Sequence, residues 1–242
     1  MRWQPPTLTD ERRRRIIQLL SAPERARWEA AASGEPGDRF LVGRMLLREL
    51  SAESLQIPLE AVTVLAVCPS CGGPHGRPDI IVDGAIPLRA GLSHTAGLVV
   101  AAVLPATRGS AMGIDVEAVA GSSERRAAID ALVPPDLRGA RGARGHGHGT
   151  RGALRAWTRV EAVLKADGRG LRVDPRAVTL QWADGRLAVS VDGSEADYTV
   201  FDRGIGGRGL RRGAVLSIAI AEPVSGPTPG AGRAARSSTA RP

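Results

Sequence analysis

Aromatic side chains are scarce in this chain: of 242 residues, four are Trp, two Phe and one Tyr. The core must therefore be built from Leu, Val, Ala and Ile, and few side chains remain on which nucleic-acid bases could stack. Lysine is scarcer still. Lys165 is the only one, so arginine supplies nearly all of the 33 basic residues set against 25 acidic ones. Two cysteines, Cys68 and Cys71, are too few for a disulfide-rich secreted scaffold. No run of eighteen apolar residues occurs, which excludes a helical membrane span. No long apolar segment follows Arg12-Arg13-Arg14-Arg15 either, so a soluble, cytoplasmic chain is expected.

What is plentiful is glycine, at 30 residues, and proline, at 17. Together they predict many turns and some disorder. The formal charge of +8 favours an anionic partner: nucleic acid, a phosphorylated cofactor or an acidic protein. Much of that excess is local, in Arg138, Arg141, Arg144 and Arg151 of one Gly-rich stretch and Arg233, Arg236 and Arg241 of the tail. A uniformly basic nucleic-acid face is not required. An apolar content of 43% over this length can bury a core in one large domain or two small ones.

Along the chain, residues 8 to 32 read as a charged amphipathic helix opened by Thr9 and Asp10 and broken near Pro23. Asp38 can cap a second helix from Arg39 to Leu50, with Arg44 and Arg48 on a solvated face. Strands are expected at 62–67, 80–82, 99–104 and 111–116, the last two joined as a hairpin through Pro105 to Gly109. Between strands lie a long turn from Cys68 to Pro78 and a polar turn, Leu92-Ser93-His94-Thr95-Ala96-Gly97. A short helix over 121–137 stops at Pro134-Pro135, and 138–152 reads as a mobile loop. Residues 153–166 give the strongest helix pattern, ended by Gly168 and Gly170. Short strands follow at 178–182, 187–191, 197–201 and 215–220. The order predicts an α+β fold of two similar halves, 1–107 and 108–222, each a small antiparallel sheet on a long helix. The tail, 223–242, cannot support a core and is expected to be disordered.

The chemistry centres on Gly113-Ile114-Asp115-Val116-Glu117. In a strand, Asp115 and Glu117 point the same way with Cα atoms roughly 6.6 Å apart, while Ile114 and Val116 pack behind them. Two carboxylates so placed can reach one hard cation, although any half-exposed strand alternates in the same way. The helix adds a third. Leu154, Trp157, Val160 and Leu164 form its apolar arc, and Glu161 falls inside that arc, where a carboxylate is costly unless a metal or buried cation compensates it. Lys165, one turn on, can pair with Glu161 or meet a phosphate.

These residues together resemble the 4′-phosphopantetheinyl transferases of the Sfp type. The matching stretches are Gly76-Arg77-Pro78, Leu92-Ser93-His94-Thr95, Gly113 to Glu117, and Trp157 to Leu171 with Glu161 and Lys165, in the family's order and spanning residues about 38–171. The resemblance implies two pseudo-symmetric halves with coenzyme A in the cleft between them. It also implies an active site in that cleft and transfer of phosphopantetheine to a serine hydroxyl of an acyl or peptidyl carrier protein, releasing 3′,5′-adenosine bisphosphate. Carried over by position, Asp115, Glu117 and Glu161 are the expected Mg²⁺ ligands, with Mn²⁺ as the alternative ion. Arg39, Arg77, Ser93, His94 and Lys165 are the expected coenzyme contacts. Glu161 is the expected general base, with Asp115 and Lys165 beside it in the catalytic set. A monomer is expected, because two halves in one chain complete the cleft. Two positions depart from the family: Val160 stands where lysine is frequent, and Arg77 where many members have lysine, which keeps the charge but alters the geometry.

Cys68-x-x-Cys71 followed by His75 has the beginnings of a zinc site. A structural zinc usually takes four protein ligands and no second Cys pair exists, so the sequence favours a tight turn that carries His75 and Arg77 to the coenzyme. A redox pair would need a helix after Cys68, which is not expected. The rival functions are a homologue that binds coenzyme A without turnover and a basic nucleic-acid-binding protein.

Overall fold

The computed structural model describes residues 1–31, 34–133, 150–183, 186–206 and 213–222. Its N-terminal charged stretch folds as two helices. Thr9 caps α1 (Asp10–Leu19), its hydroxyl accepting from the Arg12 amide at 3.2 Å. Ser21 and Glu24 form a capping box at the start of α2 (Ala22–Ala30). The break thus falls at Leu20, and Pro23 sits in the first turn of α2, where no helical N–H is lost.

The next helix, α3 (Glu35–Leu55), starts earlier and runs further than its sequence pattern suggests. Asp38 does not cap it but lies in the first turn, where its carboxylate accepts two hydrogen bonds from Arg13 at 3.0 and 3.1 Å. The expected solvated face of α3 is also overturned. Arg44 and Arg48 are each 3% exposed and share one partner, the buried Glu24 of α2, at 3.2 and 2.6 Å. Arg44 further stacks over the Phe40 ring at 4.9 Å, and burial pushes its pKa down to about 10 against the pull of Glu24. The helix is therefore buried nearly all round, apolar on one side and through ion pairs on the other.

All strand pairs among the described residues are antiparallel. One sheet has the order β1-β5-β4-β3-β2, from β1 (Arg2–Gln4), β2 (Thr63–Leu65), β3 (Asp79–Val82), β4 (Ala85–Thr95) and β5 (Leu98–Pro105). A second has the order β6-β10-β9, from β6 (Ala111–Ala118), β9 (Tyr198–Ile205) and β10 (Ala214–Ala221). A third pairs β7 (Val178–Ala183) with β8 (Arg186–Val191). Helix α4 (Ser123–Leu132) and the long α5 (Thr150–Asp167) are the remaining α-helices among the described residues. The mixed α+β class is as expected, and the five-stranded sheet uses only residues before Ala106 while the other two use only residues after it.

Two local expectations fail. The stretch 92–97 is not a free turn: Leu92 to Thr95 end β4, and only Ala96-Gly97 turn into β5. Strands β5 and β6 do not form a hairpin, because β5 pairs with β4 and β1 while β6 pairs with β10. The apolar run of β5 explains the error. Val99 and Ala101 face α3, whereas Leu98, Val100 and Ala102 pack on Met112, Ile114 and Val116 of β6, so both faces are buried and no alternation survives.

The contact between the two larger sheets positions the site. Ser93 and Thr95 of β4 accept the Val116 and Ala118 amides of β6 through their hydroxyls, each at 3.2 Å. Helix α5 lies across the other face of β6, where Gly113 allows it to come close: a Cβ there would meet the Ala162 carbonyl oxygen at 2.0 Å. The helix begins at Thr150, so 150–152 belong to it and not to a loop. Pro134-Pro135, the Gly/Arg/His-rich stretch through His146 and His148 to residue 149, and the tail from 223 lie outside the described residues.

Candidate functional site

Strand alternation on β6 turns Ile114 and Val116 into the inter-sheet core, so Asp115 and Glu117 point towards the helical side. Both carboxylates are nearly buried, at 4% and 7% exposure. On α5, Leu154, Trp157, Val160 and Leu164 fill the core beneath the helix. Glu161 lies at the edge of that stripe, its side chain 16% exposed. Val160 is a packing residue here, which accounts for an apolar side chain at that position.

Lys165 joins the two elements. Its ammonium donates to Asp115 Oδ1 at 2.6 Å and to the Ile114 carbonyl at 3.2 Å, and lies 3.2 Å from Glu161 Oε2. Of the two partners expected for Lys165, a carboxylate or a phosphate, the structure shows the carboxylates: Asp115 and Glu161 hold its charge. Burial opposes the charge on Lys165, but the two carboxylates outweigh burial and raise its pKa. Ser93 completes the cluster by donating to Asp115 Oδ1 at 3.0 Å, so it orients a carboxylate and is not simply a phosphate contact.

The cluster holds more negative charge than Lys165 neutralises. Burial first, and then the neighbouring Asp115 carboxylate, push the Glu161 pKa up to about 7. Burial also raises Glu117, although Arg125 of α4 pairs with that carboxylate and opposes the rise. Asp115 Oδ2 is buried and accepts no hydrogen bond. An orphaned carboxylate oxygen beside a second carboxylate driven towards neutrality is what a hard divalent cation would correct. Asp115 and Glu161 thus fit a Mg²⁺ or Mn²⁺ ion. Glu117 would have to leave Arg125 to join them.

The remaining expected residues spread outward. Desolvation, then the Arg39 and Lys165 cations, hold the His94 pKa below the ordinary imidazole value. Arg39 itself reaches Glu35 at 4.0 Å. Arg77 lies elsewhere, on the wall of a cavity of about 580 Å³. That wall is formed by the 68–78 turn, the middle of β4, Met112 to Ile114 of β6, and the 165–172 end of α5 and its following turn. Lys165 is the residue shared by carboxylate cluster and cavity.

Three side chains escaped the sequence reading, two of them on the cavity wall. Arg169 and Arg172 add positive charge to the wall, Arg169 fixed by Asp167 at 2.6 and 3.0 Å and Arg172 hydrogen-bonded to Ser70 across from it. Arg125 is the third, screening Glu117 from outside the motif. Arg169 falls within the matched stretch Trp157 to Leu171 without being singled out there, and Arg125 and Arg172 had no signal beyond arginine content, which marks no position in so arginine-rich a chain. Compared with known proteins, the sequence matches no protein-family model and no curated protein.

Proposed function

We propose that this chain is a Mg²⁺-dependent 4′-phosphopantetheinyl transferase, moving phosphopantetheine from coenzyme A to a serine hydroxyl of an acyl or peptidyl carrier protein. The observation that carries the reading is the joining of Asp115 and Glu161 by Lys165 at the wall of an arginine-lined cavity, with one Asp115 oxygen left without a partner. Asp115 and Glu161 would hold the ion, with Glu117 the third candidate. When bound, Mg²⁺ supplies positive charge to the pyrophosphate whose bond is broken.

The chain's own groups divide the remaining work. Arg77 presents a guanidinium suited to bidentate contact with phosphate oxygens, while Arg169 and Arg172, held by Asp167 and Ser70, contribute positive charge to the wall. Lys165 keeps Asp115 and Glu161 from repelling one another and sets a cation at the cavity edge. Glu161, buried beside Asp115 and Lys165, is the carboxylate assigned to accept the serine proton. The acceptor serine then attacks phosphorus, the phosphoanhydride bond breaks, and 3′,5′-adenosine bisphosphate leaves.

The test is intact-protein mass spectrometry of apo carrier proteins incubated with this chain and coenzyme A, with Mg²⁺ or with excess chelator. A gain of one phosphopantetheine that requires metal is the expected result. No gain on any of several acyl and peptidyl carriers would overturn the reading.

A further inference from the structure

Beyond that reaction, the 68–78 turn is more than a spacer. Strand β2 ends at Leu65, and the chain returns on itself before β3: the Cys68 amide donates to Gly73 O at 2.8 Å and the Gly72 amide to Cys68 O at 2.9 Å. Gly72 takes a left-handed conformation at φ 70°, and Gly76 passes so close to Val67 that any Cβ would strike its carbonyl oxygen at 1.9 Å. This folding brings Cys71 Sγ to 3.0 Å from His75 Nε2. The Cys68 and Cys71 sulfurs and a His75 ring nitrogen all lie within 4.8 Å of one another, and no other group of three or more potential ligands among the described residues gathers so closely.

We propose that Cys68, Cys71 and His75 bind one Zn²⁺ ion, with the fourth position open to water or another exchangeable ligand on the cavity wall. Zn–S bonds of about 2.3 Å and Zn–N bonds of about 2.0 Å at tetrahedral angles separate sulfur from nitrogen by roughly 3.5 Å. The observed contact needs to open by only about half an ångström, within the compliance of exposed side chains. Thiolates with an imidazole select Zn²⁺ over the oxygen-seeking Mg²⁺. A backbone amide already points at one sulfur: Gly73 N lies 3.4 Å from Cys71 Sγ. Such N–H groups stabilise ligand charge in a metal-bound turn. Three protein ligands with an open fourth position is the arrangement of an exchangeable or reactive zinc. The objection from the missing second Cys pair applies only to a closed, four-ligand site.

All three ligands line the cavity, and Arg77 follows His75 by two residues. The ion therefore clamps the turn that presents Arg77, and it presents a Lewis-acidic position to whatever occupies the cavity. Binding displaces the two thiol protons to solvent as the thiolates form.

The test is titration of the reduced, full-length chain with Zn²⁺ in excess Mg²⁺, read by native mass spectrometry and by competition with a chromophoric chelator, and repeated with Co²⁺. One equivalent of Zn²⁺ is expected, with a thiolate-to-cobalt charge-transfer band for the Co²⁺ form. Cys68→Ser and His75→Ala should each weaken Zn²⁺ by at least roughly tenfold, the lower end of what loss of even a supporting group does. His75 is exposed, so His75→Ala keeps its fold and decides the matter should Cys68→Ser not fold. Absence of stoichiometric Zn²⁺, a Cys68–Cys71 disulfide persisting under reductant, or unchanged affinity in His75→Ala would each overturn the site.

Discussion

The Lys165 ammonium lies 2.6 Å from Asp115 Oδ1, across the seam between helix α5 and strand β6. That contact exists because Gly113, one strand repeat before Asp115, lets the helix settle onto the sheet. Packing and charge are thereby linked, and both can be perturbed separately.

The pH dependence of stability follows from Glu161. Its folded pKa of about 7 lies above the ordinary 4.5, so the folded chain holds a proton there that the unfolded chain has released. The stability this group contributes is complete below about pH 4.5 and is lost as pH rises through about 7. Glu117, also raised, acts in the same direction. Denaturation with guanidinium in metal-free buffer should show stability falling by up to about 3 kcal/mol across that window, and Glu161→Gln should flatten the slope. A slope of opposite sign in the difference between the two proteins would refute the assignment.

Asp115→Asn and Glu161→Gln keep the size of each side chain and remove its charge. Each should lower the proposed Mg²⁺-dependent phosphopantetheine transfer by at least about a hundredfold. Circular dichroism should stay unchanged, since both substitutions relieve repulsion between neighbouring carboxylates. Near-normal transfer by either protein would show that the carboxylates do not form the metal site.

Glu24→Ala leaves Arg44 and Arg48 buried without a counter-charge. Removing one partner of a buried ion pair costs about 3–5 kcal/mol. Equilibrium denaturation should show a loss of that order, whereas Glu53→Ala, removing the exposed partner of Arg2, should change stability by less than about 1 kcal/mol.

Gly113→Ala drives a methyl group into the Ala162 carbonyl, 2.0 Å from its ideal position, and towards Ala166 N at 2.5 Å. The obstacles are backbone, so the helix must lift from the sheet. A loss of about 1–3 kcal/mol is expected, with transfer reduced because Lys165 rides on the displaced helix. Gly84→Ala meets no atom within 4 Å and strains only its own left-handed turn at φ 77°, so it should spare transfer.

Much of the carboxylate cluster was legible because it follows local periodicity. Asp115 and Glu117 share a strand face by simple alternation, and the wheel that puts Glu161 on the apolar arc of α5 depends on no distant residue. What stayed hidden depends on partners far along the chain. Arg44 and Arg48 read as a solvated face because nothing local reveals Glu24 on another helix. Strand β4 went unseen where Gly91, Ser93 and Thr95 interrupt its apolar pattern; the glycine makes room for Ile114, and the hydroxyls bind β6 and Asp115. The convergence of Cys68, Cys71 and His75 rests on the left-handed Gly72 and the crowded Gly76, whose geometry spacing alone does not convey.

Lys165 has one further property. In a chain whose other side-chain cations are arginines, it carries the only primary amine besides the N-terminus. An amine-selective acylating reagent therefore has two targets, and one lies where the carboxylate cluster meets the cavity. Peptide mapping after such labelling reads occupancy of the site directly: whatever shields the ammonium lowers labelling at residue 165 and leaves the N-terminus as an internal reference.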